Sequence, residues 1–240
     1  NCRSDIRLPG VQEALVQAVA ACGKPVAVLI SSGRPLATAA WKDLVPCMMF
    51  IGQPGTECGH AVADVLSGDY CTFPLTVGQI PCYYNALNTG RPALGKVSFE
   101  AKYRDLPIEP AFPFGHGLSY TEFTYSNLQL SAAEMTADGA IEISVDVKNT
   151  GACDGEDVVE LYGRDMIGSR ARPMKELKGF RKLFLKKGET GTVRFTLKGD
   201  DLAFRNWKLE RVTEPGDFKV WISRSSADPV LEGDFRVIEK

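Results

Sequence analysis

The chain has 240 residues, 44% of them hydrophobic, and a formal net charge of -2 with a pI near 5.8. It can bury one large or two modest cores, and it lacks the clustered Lys and Arg that attract nucleic acid or an anionic membrane. No apolar run approaches the roughly 18 to 20 residues that cross a bilayer as a helix, so neither nucleic acid nor membrane is an expected partner. The seven cysteines contain no C-x-x-C pair, and neither His60 nor His116 lies near two of them. Zinc-ligand spacing is absent, so no metal and no cofactor are expected; the cysteines read mostly as small buried apolar residues, with at least one left unpaired. The chain begins at Asn1 without a basic n-region or apolar h-region, which places any export signal upstream or already removed.

Residues 1–95 alternate helical and short apolar segments. After Pro9, Val11, Leu15 and Val19 fall four apart and the pattern stops at Gly23, which predicts an amphipathic helix with one apolar stripe. Val26 to Ile30 is continuous and β-rich, the pattern of a strand buried on both faces of a parallel sheet. Cys47 to Ile51 is a second such run, followed by a Gly-rich turn and a predicted helix from Cys58 to Leu66. This order is α/β.

Residues 96–119 are rich in Gly, Pro and aromatics and predict an ordered connector. Phe112, Phe114, Leu118 and Tyr120 place four large apolar side chains within nine residues, a composition unlike that of a mobile Gly/Ser linker, and they are expected to dock against both domains. From residue 120 the period changes to two: Ile141, Ile143, Val145 and Val147 alternate with polar residues and run into the turn Asn149-Thr150-Gly151. Further strands are predicted at Val158 to Gly163, Lys178 to Leu185, Thr192 to Leu197, Trp207 to Val212, Phe218 to Ser223 and Val230 to Val237. The fold class is therefore an α/β sandwich domain with a mostly parallel, incomplete sheet, followed by an all-β sandwich of the immunoglobulin or fibronectin type III-like kind. Trp207 and Trp221 fall on separate predicted strands among apolar neighbours, which favours a structural sandwich over a sugar-binding one.

The residues carry few chemical signals. Gly52-Gln53-Pro54-Gly55-Thr56-Glu57-Cys58-Gly59 stands where backbone N–H groups could hold an anion, but it matches neither nucleotide fingerprint and reads as a tight turn. His116 lies between Gly115 and Gly117 without an identifiable partner for base catalysis, and no G-x-S-x-G elbow exists. Glycoside hydrolysis needs two carboxylates roughly 5 to 10 Å apart. Spacing selects no such pair from Asp5, Glu57, Asp64, Asp69, Glu156, Asp157 and Glu160; the last three fall on a strand expected to be half solvated. Lys175, Lys178, Arg181, Lys182, Lys186 and Lys187 alternate with Leu and Phe and read as the solvated face of two strands.

A series of words in order along the chain resembles glycoside hydrolase family 3 of the bacterial β-glucosidase or β-xylosidase type. They begin with Arg3-Ser4-Asp5-Ile6-Arg7-Leu8-Pro9, Gly23-Lys24-Pro25-Val26 with Ser32-Gly33-Arg34-Pro35-Leu36, and Pro54-Gly55-Thr56-Glu57 running to Gly68-Asp69. Val77-Gly78-Gln79-Ile80-Pro81, Asn88-Thr89-Gly90-Arg91-Pro92 and Phe112-Pro113-Phe114-Gly115-His116-Gly117-Leu118-Ser119-Tyr120-Thr121 follow. The second half adds Val147-Lys148-Asn149-Thr150-Gly151, Arg172-Pro173 through Phe180, Lys187-Gly188-Glu189-Thr190, Glu214-Pro215-Gly216 and Ser225-Ser226.

The resemblance implies the C-terminal part of a retaining, exo-acting enzyme that removes terminal non-reducing β-D-glucosyl or xylosyl residues from oligosaccharides or glycosides, and a periplasmic or secreted location. It implies a (β/α)8 barrel partner upstream that holds the nucleophilic Asp, with the acid/base Glu before the Arg-x-Asp segment and so upstream of Asn1. No catalytic residue is therefore assigned within this chain, substrate-binding residues are unknown, and the chain alone is expected to be inactive. A carbohydrate-binding or scaffold protein built from the same two domains is the alternative. The chain departs from the family where Tyr70-Cys71-Thr72 replaces an Asn-Pro-Ser-Gly stretch, which leaves the local fold between Leu66 and Pro81 open.

Overall fold

The computed structural model describes residues 5–24, 26–33, 35–52, 84–87, 105 and 107–239. The chain divides into one unit of Asn1–Tyr83 with Ala93–Phe114 and another of Tyr84–Pro92 with Gly115–Lys240. The predicted helix over Cys58 to Leu66, the turn after Gly52 with Glu57, the carboxylates Asp64 and Asp69, and the shortened stretch around Cys71 lie outside the described residues.

In the first unit, α1 (Gln12–Ala20) is rich in alanine, the best helix former. It leads to β1 (Ala27–Ser31), which pairs in parallel with β2 (Cys47–Gly52). A 3-10 turn, Lys42–Leu44, precedes β2. The core of this unit is Ile30, Leu36 and Trp41, with Leu8, Val16, Val28, Val45, Met48 and Phe50 packed against it. The expected stripe is not the buried one. Val11, Leu15 and Val19 are exposed, and α1 turns Val16 toward the Ile30, Leu36 and Trp41 cluster instead. β1 is likewise covered on one face only: Ile30 is buried and Leu29 is half exposed. Of the seven cysteines, Cys22, Cys47 and Cys153 lie among the described residues, and these three are free and exposed rather than buried, at a helix end, a strand start and a turn; the other four lie outside the described residues.

The second unit consists of two sheets around one core. The three-stranded sheet has the order β3 (Phe123–Leu130), β5 (Ala140–Asn149), β8 (Thr190–Lys198), all antiparallel. The five-stranded sheet runs β4 (Glu134–Thr136), β12 (Asp228–Ile238), β11 (Gly216–Ser225), β6 (Gly155–Asp165), β7 (Glu176–Leu185). On β5, Ile141, Ile143, Val145 and Val147 are all fully buried while Glu142 and Lys148 face solvent. This is the one-sided alternation of an antiparallel sheet. They meet Val159 and Leu161 of β6, Phe218, Val220 and Ile222 of β11, and Phe235 and Val237 of β12. Each such side chain stabilises the fold by about 1.5–3 kcal/mol relative to exposure.

The expected strand over Trp207 to Val212 is instead a hairpin tip. β9 (Phe204–Arg205) and β10 (Arg211–Val212) pair antiparallel, and Trp207 stands in the turn between them, 75% exposed. The one-turn helix α2 (Gly199–Leu202) precedes β9, with the Lys198 N–H donating to Asp201 Oδ2 at 2.8 Å. Two of the four side chains expected to dock from the connector, Leu118 and Tyr120, are exposed, whereas Phe112 and Phe114 are half-buried. Past Gly117 the polar residues make the attachments. Ser119 Oγ donates to the Glu156 carbonyl at 3.3 Å and Thr121 Oγ1 to Asn149 Oδ1 at 2.8 Å.

Candidate functional site

β6 is the second strand in from one edge of its sheet and buries both faces. Its outer face presents Glu160 and Tyr162, paired in register with Ser223 and Trp221 of β11. The expectation that Glu160 lies on a half-solvated strand is overturned: it is 6% exposed. The Tyr162 hydroxyl donates to Glu160 Oε2 at 2.7 Å. Tyr84 meets the Tyr162 ring edge-on, with centroids 5.9 Å apart. Lys175 places Nζ 5.3 Å from the Tyr162 ring centre and 5.1 Å from that of Trp221, and donates to the Ser226 carbonyl at 2.8 Å. A half-buried ammonium held over two aromatic faces is attracted by their quadrupoles. Burial lowers the Lys175 pKa, and the Glu160 charge opposes that shift. Burial also raises the Tyr162 hydroxyl, helped by its bond to Glu160, so it stays a donor across the working pH range.

Gly115 lies over this cluster. Its φ is +79°, and a Cβ there would overlap the Glu160 carboxylate. Only glycine satisfies both conditions. The cluster supplies one buried carboxylate and one ammonium, each engaged. It is built to seat the Gly115 turn, and it does not present the two carboxylates that glycoside hydrolysis needs.

The other carboxylates and bases singled out in the sequence are dispersed. Asp5 bonds the Arg7 guanidinium at 2.7 Å. Glu156 pairs with Lys182 at 2.7 Å on the surface. Asp157 accepts from the Tyr125 hydroxyl at 2.6 Å, between the sheets, and its pKa is raised mainly by burial, against the pull of that hydrogen bond, the Val158 N–H and Arg224. His116 is half-buried, and burial lowers its pKa from 6.5, which keeps it neutral at pH 7. The basic run is only partly solvated, contrary to expectation. Lys175 is engaged as described, and Lys178 donates to Glu176 and to the Asp201 carbonyl. Among the described residues, no group of three or more His, Cys, Asp or Glu is placed to hold a metal.

Short words of the second half fold into anchors. Buried Asn149 uses its whole amide: Nδ2 donates to the Cys153 and Leu185 carbonyls, and Oδ1 accepts from Thr121 and the Gly151 N–H. Arg172 lies over Phe204, bonds Glu176 at 3.0 Å and reaches Asp165 at 3.9 Å. Glu214 accepts from Ser169 N and Oγ at 2.8 and 2.6 Å. The sequence reading missed Tyr84 and Lys175 as partners of one cluster, because strand register and chain reversal bring them together from positions 91 residues apart (175 minus 84). The period-two alternation over β6 could have placed Glu160 and Tyr162 on one face.

The fold and these anchors define a two-unit chain in which an α/β segment precedes a β-sandwich, with structural rather than reactive polar clusters in the sandwich. The profile of the Glycosyl hydrolase family 3 C-terminal domain matches residues 2–120, and that of the Fibronectin type III-like domain matches residues 157–226. The chain is 41% identical over 99% of its length to a protein named Periplasmic beta-glucosidase from Salmonella typhimurium, and covers 32% of that protein. It is 40% identical over 93% of its length to a Beta-xylosidase of Formosa agariphila, covering 31% of it. A crystal structure of beta-glucosidase from Listeria innocua superimposes with a TM-score of 0.86 at 38% identity, over 98% of this chain and 34% of that one. The chain belongs to glycoside hydrolase family 3 and is its C-terminal portion, spanning about a third of the length of these relatives. No helix among the described residues is long and apolar enough to cross a membrane.

Proposed function

We propose that this chain is the non-catalytic C-terminal portion of a retaining, exo-acting β-glucosidase or β-xylosidase acting on oligosaccharides or glycosides in the periplasm or outside the cell. The observation that carries this reading is identity near 40% across almost the whole chain to relatives named beta-glucosidase and beta-xylosidase. Residues 1–95 serve as the α/β sandwich that supports the barrel, 96–119 as the connector and 120–240 as the β-sandwich. The dispersal of Asp5, Glu156, Asp157 and Glu160, each bonded to a structural partner, supports placing the nucleophile and the acid/base upstream. No residue of this chain is assigned to bond cleavage.

The test is hydrolysis of p-nitrophenyl β-glucoside and β-xyloside. The isolated 240 residues are expected to give no turnover, and a reading frame extended upstream into a barrel is expected to hydrolyse one or both through a covalent glycosyl-enzyme. Turnover by the isolated chain would refute the assignment of its chemistry to the barrel. An upstream frame lacking a barrel would favour a stand-alone binding or scaffold protein.

A further inference from the structure

The helix α1 is apolar on the side that faces away from its own core. With 3.6 residues per turn, Val11 at its N-cap, Ala14, Leu15, Ala18 and Val19 share one side. All five are exposed, Val11 at 79%, Leu15 at 60% and Val19 at 41%. Glu13, Val16 and Ala20 are the less exposed positions, and Val16 packs on the Ile30, Leu36 and Trp41 cluster. The single charged residue of the helix, Glu13, therefore lies on the half-buried side, and the open side carries no charge. A helix at a finished protein surface shows the reverse pattern, whereas one with apolar residues on both sides is covered on both.

We propose that the outer side of α1, centred on Leu15, is the seat on which the upstream part of the same polypeptide packs; this rests on the reading of the chain as the C-terminal portion of a longer enzyme. The chain spans about a third of the length of its relatives and is their C-terminal portion, so the remainder of such a protein lies on the N-terminal side, where α1 is the first helix. The size of the surface favours this occupant over a second copy. Nine residues of helix offer a face of about 14 Å by 10 Å, far short of the about 800 Å² per partner in a standard interface. A tethered segment needs no such area, because the connecting chain holds it at an effective concentration of about millimolar. The lack of charge points the same way, since a permanently covered surface is depleted of charged side chains.

Thiol labelling of Leu15→Cys by N-ethylmaleimide, read at that position by peptide mass spectrometry, tests this in the 240-residue chain and in the protein extended upstream along its reading frame. Position 15 is expected to label rapidly in the 240-residue chain at every protein concentration, and at least about tenfold more slowly in the extended protein. Leu15→Glu, which keeps a good helix former, is expected to leave the melting temperature of the 240-residue chain unchanged and to lower that of the extended protein. Equally rapid labelling in both proteins overturns the proposal, as does a reading frame with no upstream portion. Slow labelling in the 240-residue chain overturns it too: independent of concentration it assigns the cover to this chain's own residues, and dependent on concentration to a second copy. The readout is separate from turnover, so an extended protein that hydrolyses the p-nitrophenyl glycosides yet labels rapidly refutes the docking while the proposed function stands.

Discussion

Gly115 and Asp157 show how single positions carry constraints that their residue types do not announce. Gly115→Ala must adopt an unfavourable φ and also displace the Glu160 carboxylate, so it should cost more than the usual penalty of about 1–3 kcal/mol for a strained backbone position. In a Glu160→Ala background the steric part disappears, and a double-mutant cycle from urea melts should return a favourable coupling; strict additivity would contradict the contact. Asp157 has the opposite linkage to a salt-bridged acid. Burial raises its folded pKa above the ordinary 3.8, so folding favours the protonated form. Stability from this group is therefore greatest at low pH and declines as pH rises from 3.8 through the raised value. Asp157→Asn should remove that decline, and the mutant should gain on the wild type across the window; parallel stability curves would sink the idea. Tyr125→Phe takes away the 2.6 Å donor and should cost about 1–3 kcal/mol at neutral pH.

At the level of elements, β6 and β7 are neighbours in one sheet with opposite tolerances. Leu161 on β6 is 1% exposed and faces the sandwich core, so Leu161→Ala should lose about 2–5 kcal/mol by transfer and cavity terms. Phe184 on the edge strand β7 is 57% exposed, and Phe184→Ala should change stability by less than about 0.5 kcal/mol. Chemical denaturation of the two variants measures the contrast, and equal losses would mean that β7 is covered in solution. The Lys and Arg residues along β7 also blunt its open edge, since charged side chains disfavour pairing with a further strand. That edge role accounts for exposed Arg181 and Lys182 on β7 better than a nucleic-acid surface does.

The whole molecule is uneven in where its burial lies. The sandwich contributes nineteen buried core residues in one cluster, against three in the described part of the first unit. A fragment of residues 115–240 is therefore expected to fold alone and melt cooperatively. It should be less stable than the same sandwich within the full chain, because it lacks Tyr84, which packs on Tyr162. Calorimetry of the fragment checks both statements, and a gradual, non-cooperative melt would refute the first.

What the amino-acid sequence determined by itself was local and periodic. Alternation over Ile141 to Val147 identifies β5 and its buried face, and the strands ending at Leu185, Leu197 and Ser223 were legible for the same reason: one face of an antiparallel sheet is apolar and the other polar. The ordered words also identified the family, and two of them fall where bonds and space leave few alternatives, at Asn149 and Gly115. Tertiary structure decided the rest. A stripe on a helix wheel cannot say which side the chain will cover, so Val16 rather than Val11 and Leu15 faces the first core. A β-prone run cannot reveal that Asn206 will close a turn and lift Trp207 into solvent. Glu160 became a buried anchor because strand register set Ser223 beside it and the chain returned Gly115 over it, contacts between residues far apart in sequence that no local pattern encodes.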